Sequence, residues 1–500
     1  MRHSGHQDRL FAPATDDMKR RAIGGAVVTA TGQALRLAIQ ISSVVILSRL
    51  LQPTDFGIFA MVAPVVGFAM LFQEFGLTQA LVTARTLRAE EATAVLRANV
   101  ILSLGVAALL ALCAPLLSRF YNEAAVIPIV MLMAVQVMLA GLTSVHKALL
   151  LRGMKFFALA AIDLVSAAVG LFVAVAMAYF DPGPSALVLQ VLASAAVALV
   201  GSWIMTGWIP GKSASLREVR SFIDFGLGMT SFNFTNFISR NADNVMIGWA
   251  RGATELGWYD RAYRLLLFPL GQINAPVSSV VVPILARLTD DPERYRYAYL
   301  RVIRLMLLLT VPGVVVLMIS ADVLIPLLIG PQWLPVVPIF RWLGIAAIHQ
   351  TISNTFGWLF VTQGRVKEFA QWGLFGSTTC VIAFAIGLNW GAVGVAAAYS
   401  ISGILIRLPV LVWLVGRRGP VTAADLIRCF IPYAVGAAGA AGLWWLTGLG
   451  PGLAPALEIG LIAAFIYGVS WSGIALSKGG RTSLRELLAI VRSPRAIFVP

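Results

Sequence analysis

The sequence predicts an all-α polytopic membrane protein of about fourteen transmembrane helices, and three observations carry that prediction. Of 500 residues, 59% are hydrophobic and only 12% are charged, about half the charged share of a water-soluble domain. The mean hydropathy is +0.84. Apolar runs near the ~20 residues needed to cross a bilayer recur along the whole length, joined by stretches too short to hold a soluble domain.

The runs fall at about 22–47, 55–80, 94–117, 124–146, 156–180, 185–208, 221–248, 254–282, 298–319, 333–361, 369–388, 391–415, 424–447 and 454–477. Lys and Arg concentrate in the cytoplasmic loops of membrane proteins, so the alternation can be tested by counting. Of 38 basic residues, 29 fall in alternate segments beginning with the N-terminus. Only Arg49, Arg119 and Arg251 fall in the opposite set, and six lie within spans. This bias places both termini in the cytoplasm. The first 21 residues are polar and carry no short apolar region with a cleavage site, so they do not read as a secretory signal. Basic charge scattered over short loops is not a nucleic-acid surface. Cys113, Cys380 and Cys429 are isolated in or beside apolar spans and read as small core residues. No catalytic dyad, phosphate loop or dinucleotide fingerprint appears. The expectation is a protein that is not an enzyme and needs no cofactor or metal.

Internal symmetry organises the spans. "LLQPTDFGIFAM" (50–61) is echoed 200 positions later by "ARGATELGWYDR" (250–261), where Thr54, Asp55, Gly57 and Phe59 meet Thr254, Glu255, Gly257 and Tyr259. A fainter echo joins Gly153-x-Lys155-x-Phe157 to Gly364-x-x-Lys367-x-Phe369. The implied organisation is a cytoplasmic segment (1–21), a six-helix lobe (22–208), a cytoplasmic linker (209–220), a second six-helix lobe (221–415), a terminal helix pair (424–477) and a cytoplasmic tail (478–500). An even number of spans returns the chain to one side, so the lobes are parallel copies related by a pseudo-two-fold axis along the membrane normal.

The "LSRLLQPTDFGIFAM" turn and the segment "ISRNADNVMIGWARGATELGWYDRAYRLLLFPL" (238–270) resemble bacterial polysaccharide flippases. These form the O-antigen and exopolysaccharide branch of the multidrug/oligosaccharidyl-lipid/polysaccharide exporter superfamily. The motif positions are Arg240, Asn241, Asp243, Asn244, Gly257, Tyr259, Ala262 and Tyr263. The resemblance implies movement of an undecaprenyl-pyrophosphate-linked oligosaccharide between leaflets by alternating access, beside membrane lipids and polysaccharide polymerase or export proteins. The rival readings are a cation-coupled drug or toxin exporter of the same superfamily and a non-transporting scaffold for polysaccharide assembly.

Polar residues inside the spans are the candidates for that work. A charge at the bilayer centre costs roughly 2.5–3.5 kcal/mol on insertion scales, so such groups face other helices or water. Thr29, Gln33, Arg36, Gln40 and Ser43 form one helical stripe; Asn233, Asn236, Arg240 and Asp243 form another. These two stripes lead the two lobes, where a cleft would lie. The planar donor fork of Arg matches a pyrophosphate. Arg36, Arg240, Arg264 and Arg341 are therefore candidate pyrophosphate contacts, with Gln33, Gln40, Asn233 and Asn236 as sugar contacts. Arg240 is equally open to pairing with Asp243. Asp260 and Arg261, with Arg264 and Arg341, suit a gate or an ion pair as well as a ligand. Asp163 is a candidate coupling-ion site or the partner of an arginine in its own lobe. His349 reads as a satisfied helix residue, and Arg407 as a side chain that snorkels. Membrane-depth arginines outnumber acids, which suits an anionic passenger.

Overall fold

A computed structural model describes residues 18–74, 81, 82, 84, 87–212, 220–447, 453–476 and 478–492. Side chains are described for most of these, but not for 220–236. Every regular element among the described residues is helical. In a bilayer a helix meets its backbone hydrogen bonds within itself, so an apolar chain of this kind has few alternatives. Ten stretches among the described residues are long and apolar enough to cross a membrane. Large side chains on them are uncovered, including Leu112, Phe172 and Ile204, as expected of helices facing lipid.

The chain divides into two compact units, 1–257 and 258–500. The first contains α1 (Met18–Leu50), α2 (Pro53–Glu74), α3 (Ala89–Tyr121), α4 (Val126–Arg152), α5 (Phe156–Phe180) and α6 (Pro184–Thr206). There α3 packs on α4, α5 on α6, and α1 on α5. It also holds the first part of α7 (Arg220–Arg287), which is broken at Gly252 by φ 81°, ψ −175°. That left-handed conformation suits glycine, and it divides α7 into arms at 220–251 and 253–287.

The second unit continues with α8 (Pro292–Ile319), α9 (Ala321–Ile329), α10 (Val336–Ser353), α11 (Phe356–Thr362), α12 (Val366–Gly387), α13 (Gly391–Ser402), α14 (Leu408–Gly416), α15 (Ala423–Thr447), α16 (Pro455–Ala475) and α17 (Lys478–Arg492). Here α12 packs on α13, α10 on α13, and α8 on α15 and α16. The sequence expectation of one span at 333–361 is replaced by α10 and the short α11. A five-residue π-helix, Gly403–Arg407, interrupts the expected span at 391–415.

Both sequence echoes have a structural meaning. At the start of α2, Asp55 accepts the backbone N–H of Gln52 at 2.8 Å, satisfying a donor the helix leaves open. Gly57 and Gly257 are sites of close backbone contact. A Cβ on Gly57 would lie 1.7 Å from the carbonyl oxygen of Ala253, and one on Gly257 would lie 1.9 Å from that of Pro53. The contacts 57–253 and 257–53 exchange under the 200-residue shift, which is the reciprocity of a two-fold contact.

The second echo needs a correction of one residue. After α4, the N–H groups of Met154 and Lys155 bond the carbonyls of Leu151 (3.0 Å) and Leu150 (2.9 Å). After α11, Gly364 and Arg365 bond Val361 (3.2 Å) and Phe360 (2.8 Å). Both are Schellman caps, and they superpose Met154 on Gly364, not Gly153 on Gly364. The left-handed position fixes the register, and the first copy fills it with Met154 at φ 53°. Lys155 also donates to the Met205 carbonyl at 3.4 Å, and Arg365 to that of Val415 at 3.2 Å, again 210 positions on.

Candidate functional site

Three helices of the first unit meet around one carboxylate. Gly32 of α1 brings its backbone against α5: a Cβ there would lie 3.0 Å from that of Ala160. One turn on, Arg36 Nη1 stands 3.4 Å from Asp163 Oδ2, while Lys147 Nζ of α4 stands 2.9 Å from Oδ1. None of the three is sealed from solvent, with side-chain exposures of 49% for Arg36, 36% for Lys147 and 37% for Asp163. Two cations share one anion, so the cluster is net positive.

The rest of the α1 stripe changes character along its length. Thr29 and Gln33 are exposed, Gln40 is half-buried, and Ser43 is buried, accepting a bond from Gln190 Nε2 of α6 at 2.8 Å. In α7, Arg240 is exposed and Asp243 is buried. Among the described residues Arg240 forms no ion pair, so the local pairing with Asp243 left open by the sequence is not made. Asp243 Oδ1 instead accepts the Asn244 N–H at 2.8 Å. The side chains of Asn233 and Asn236 lie outside the described residues.

In the second unit Asp260 is held by its own helix. Arg261 Nη2 approaches it at 2.7 Å and Arg264 Nε at 2.9 Å. Asp260 and Arg261 are buried, and Arg264 is 43% exposed. Burying charges is strongly unfavourable unless they are paired, which the adjacent spacing achieves, again with one cation in excess. Arg341 of α10 pairs with Asp322 of α9 and donates to the Met318 carbonyl at 3.2 Å. Sequence reading did not find Asp322, because it lies outside the spans assigned there.

Two expectations give way at the π-helix. Arg407 does not snorkel: it is 9% exposed, donating to Cys380 Sγ at 2.8 Å and to the Tyr399 carbonyl at 2.6 Å. Its guanidinium stacks over the Tyr399 ring, a favourable use of the ring quadrupole. Nor does His349 find the protein partner expected of a satisfied helix histidine: among the described residues, neither ring nitrogen has one. It packs against Gly403, where a Cβ would lie 2.3 Å from Nε2. No local sequence pattern reveals this packing of His349 on the π-helix.

Lys147 is a participant that the polar stripes do not single out, because it falls one residue past the apolar run at 124–146. Its signal was present in the chain. Lys147 and Asp163 each lie eight positions from Lys155, and a tight turn between antiparallel helices brings equidistant residues level. Among the described residues no group of three His, Cys, Asp or Glu side chains could hold a metal.

The family model described as "Polysaccharide biosynthesis protein" matches residues 46–338. The chain is 22% identical to the lipopolysaccharide biosynthesis protein WzxC of Escherichia coli K12, over 78% of this chain and 80% of that one. It is 28% identical to the succinoglycan biosynthesis transport protein ExoT of Rhizobium meliloti, over 73% and 74%. Among solved structures it is similar to the lipid II flippase MurJ in an inward closed conformation. That match has a TM-score of 0.70 at 16% identity, over 91% of this chain and 99% of that one. An inward-facing MATE family multidrug transporter of the MOP superfamily matches with TM-score 0.61 at 14% identity, over 78% and 98%. The fold is that of a multi-pass membrane transporter.

Proposed function

The chain belongs to the polysaccharide biosynthesis protein family, and from that premise we propose that it flips an undecaprenyl-pyrophosphate-linked oligosaccharide from the inner to the outer leaflet of the bacterial cytoplasmic membrane. It does so by alternating access, with both termini in the cytoplasm, and supplies cell-surface polysaccharide assembly alongside polymerase and export proteins.

The observation that carries this reading is the uncovered, net-positive cluster of Arg36, Lys147 and Asp163. Asp163 lies seven residues into α5, about 10 Å from its end at 1.5 Å per residue. Charges at that depth cannot face lipid, so their exposure points to a water-filled route. Arg36 and Lys147 stay held near Asp163 until a pyrophosphate, with more acceptor oxygens and two charges, competes for the same donors. Arg240, exposed and without an ion pair among the described residues, offers a further donor. Arg264, which shares Asp260 with Arg261, and Arg341, paired with Asp322, exchange partners in the same way. Gln33 and Gln40 contact sugar hydroxyls. Asp163 works here as the internal counter-ion, and its two cationic partners weigh against a coupling-ion role.

The same pairing favours an anionic passenger over the cation exporter, because Asp163 and Asp260 are each outnumbered by basic partners. Arg36→Ala tests the proposal in cells: glycan export is lost while protein level and partner association persist. A scaffold tolerates the change, and undiminished export would refute the assigned role of Arg36.

A further inference from the structure

A cavity of about 480 Å³ opens at the polar rim of the second unit, where the N-terminal ends of α8, α15 and α17 meet. It shares no residue with the Arg36 cluster. Arg296, Arg304 and Arg428 line it, together with Glu293 and Asp425. Arg296 is taken up by an ion pair with Asp425, and Glu293 stands exposed at the rim. That leaves Arg304 and Arg428, neither of which has a carboxylate partner among the described residues. Arg304 is half-buried beside Cys429, while Arg428 stands at the mouth.

The surroundings fit a membrane–water boundary. Helix α17 is held down by Arg301–Glu486 at 3.2 Å and by Tyr433–Ser483 at 3.2 Å. Its Leu484 and Leu487 pack into the core of the unit, while Arg481 and Arg485 are exposed. That division is the pattern of a helix lying in the interface plane. Next to Arg428, Ile427 and Ile431 present uncovered apolar side chains, 49% and 50% exposed. Tyr297 lines the cavity and is 58% exposed, as aromatic residues at the headgroup level are.

We propose that this cavity binds the phosphate of an anionic phospholipid, with Arg304 and Arg428 as its donors and the acyl chains running down the Ile427–Ile431 face. Two guanidinium groups without carboxylates, in a space large enough for a headgroup, are matched by a phosphate diester that accepts charge-assisted bonds from both. The apolar flank selects a lipid over a free ion. The site is a regulatory or anchoring one, independent of the substrate assigned above.

The test uses the full-length protein in neutral detergent, with retained lipid counted by native mass spectrometry. Phosphatidylglycerol is retained at least about tenfold more tightly than phosphatidylcholine, and Arg304→Gln/Arg428→Gln removes that preference. Arg294→Gln, which breaks an exposed pair with Asp291 outside the cavity, leaves it intact. If the double variant does not fold, Arg428→Gln alone decides, because its side chain is exposed; a several-fold loss is expected. Equal retention of the two lipids by the wild type, or an unchanged preference in Arg428→Gln, overturns the proposal. Displacement by millimolar inorganic phosphate as effective as that by phosphatidylglycerol overturns the assignment to a lipid.

Discussion

Gly57→Ala is the substitution whose consequence the structure sets most tightly. The added Cβ would stand 1.7 Å from the Ala253 carbonyl oxygen and 2.4 Å from its carbon. Ordinary contact begins near 3.4 Å, so the two backbones must part by about 1.7 Å (3.4 − 1.7) at that point. No rotamer relieves the clash, because both partners are main chain. Overpacking in a core costs typically 1–3 kcal/mol, and a clash with backbone belongs at about 3 kcal/mol or above. The thermal midpoint of the purified protein should fall by several degrees, with glycan export reduced in step. Gly105→Ala on α3, where a Cβ meets nothing within 4 Å, is the control and should be neutral or mildly stabilising. Gly257→Ala should match Gly57→Ala, and the double variant should cost little more than either, since one separation relieves both clashes. Additive losses would refute the reciprocal contact, and an unaltered Gly57→Ala midpoint would refute the close approach itself.

Four further outcomes follow from the geometry. Arg36→Ala should change stability by no more than about 1 kcal/mol, because half-exposed ion pairs contribute little, so a normal melt with absent transport separates function from folding. Gly403→Ala drives a methyl to 2.3 Å from His349 Nε2 and should destabilise by about 1–3 kcal/mol; adding His349→Ala should recover much of that loss. Arg365→Ala strands the carbonyls of Leu414 and Val415 and removes the nearest of the three arginines around Glu368, leaving Arg417 and Arg418, for a loss of about 1–3 kcal/mol. Arg365→Lys should be far milder, since Lys155 fills the equivalent place. Flipping in vesicles should respond to an imposed potential, because exporting a dianion through 100 mV releases about 4–5 kcal/mol; dependence on a sodium or proton gradient alone would contradict that.

Much of the architecture was legible because bilayer thickness and backbone hydrogen bonding leave a hydrophobic chain few options. The span expected at 156–180 coincides with α5. The Gly57 and Gly257 echo marked a contact that only glycine permits. Local periodicity was blind elsewhere. The register of the second echo is set by a left-handed residue, and Met154 hides that role where glycine would have announced it. Lys147 falls one residue past the apolar run at 124–146 although its helix runs on to Arg152, and its partner Asp163 belongs to the next helix. The inward turn of Arg407 depends on Cys380, Tyr399 and a π-bulge, none of which a stripe analysis weighs. The candidate arginines stand out by their unfavourable depth and the Asp260 pairs by their local spacing, but Lys147 beside Asp163 and Asp322 beside Arg341 come only from packing.

The central claim is that wetted guanidinium and ammonium groups in the spans receive a pyrophosphate. The most direct measurement reconstitutes the purified protein in vesicles with two fluorescent isoprenoid-linked oligosaccharides, one joined through pyrophosphate and one through an uncharged linkage. The appearance of each at the opposite face is then followed. The account predicts that the pyrophosphate-linked lipid crosses and the uncharged one does not, with Arg36→Ala abolishing the difference. Equal crossing of the two lipids, or crossing that Arg36→Ala leaves untouched, would contradict it.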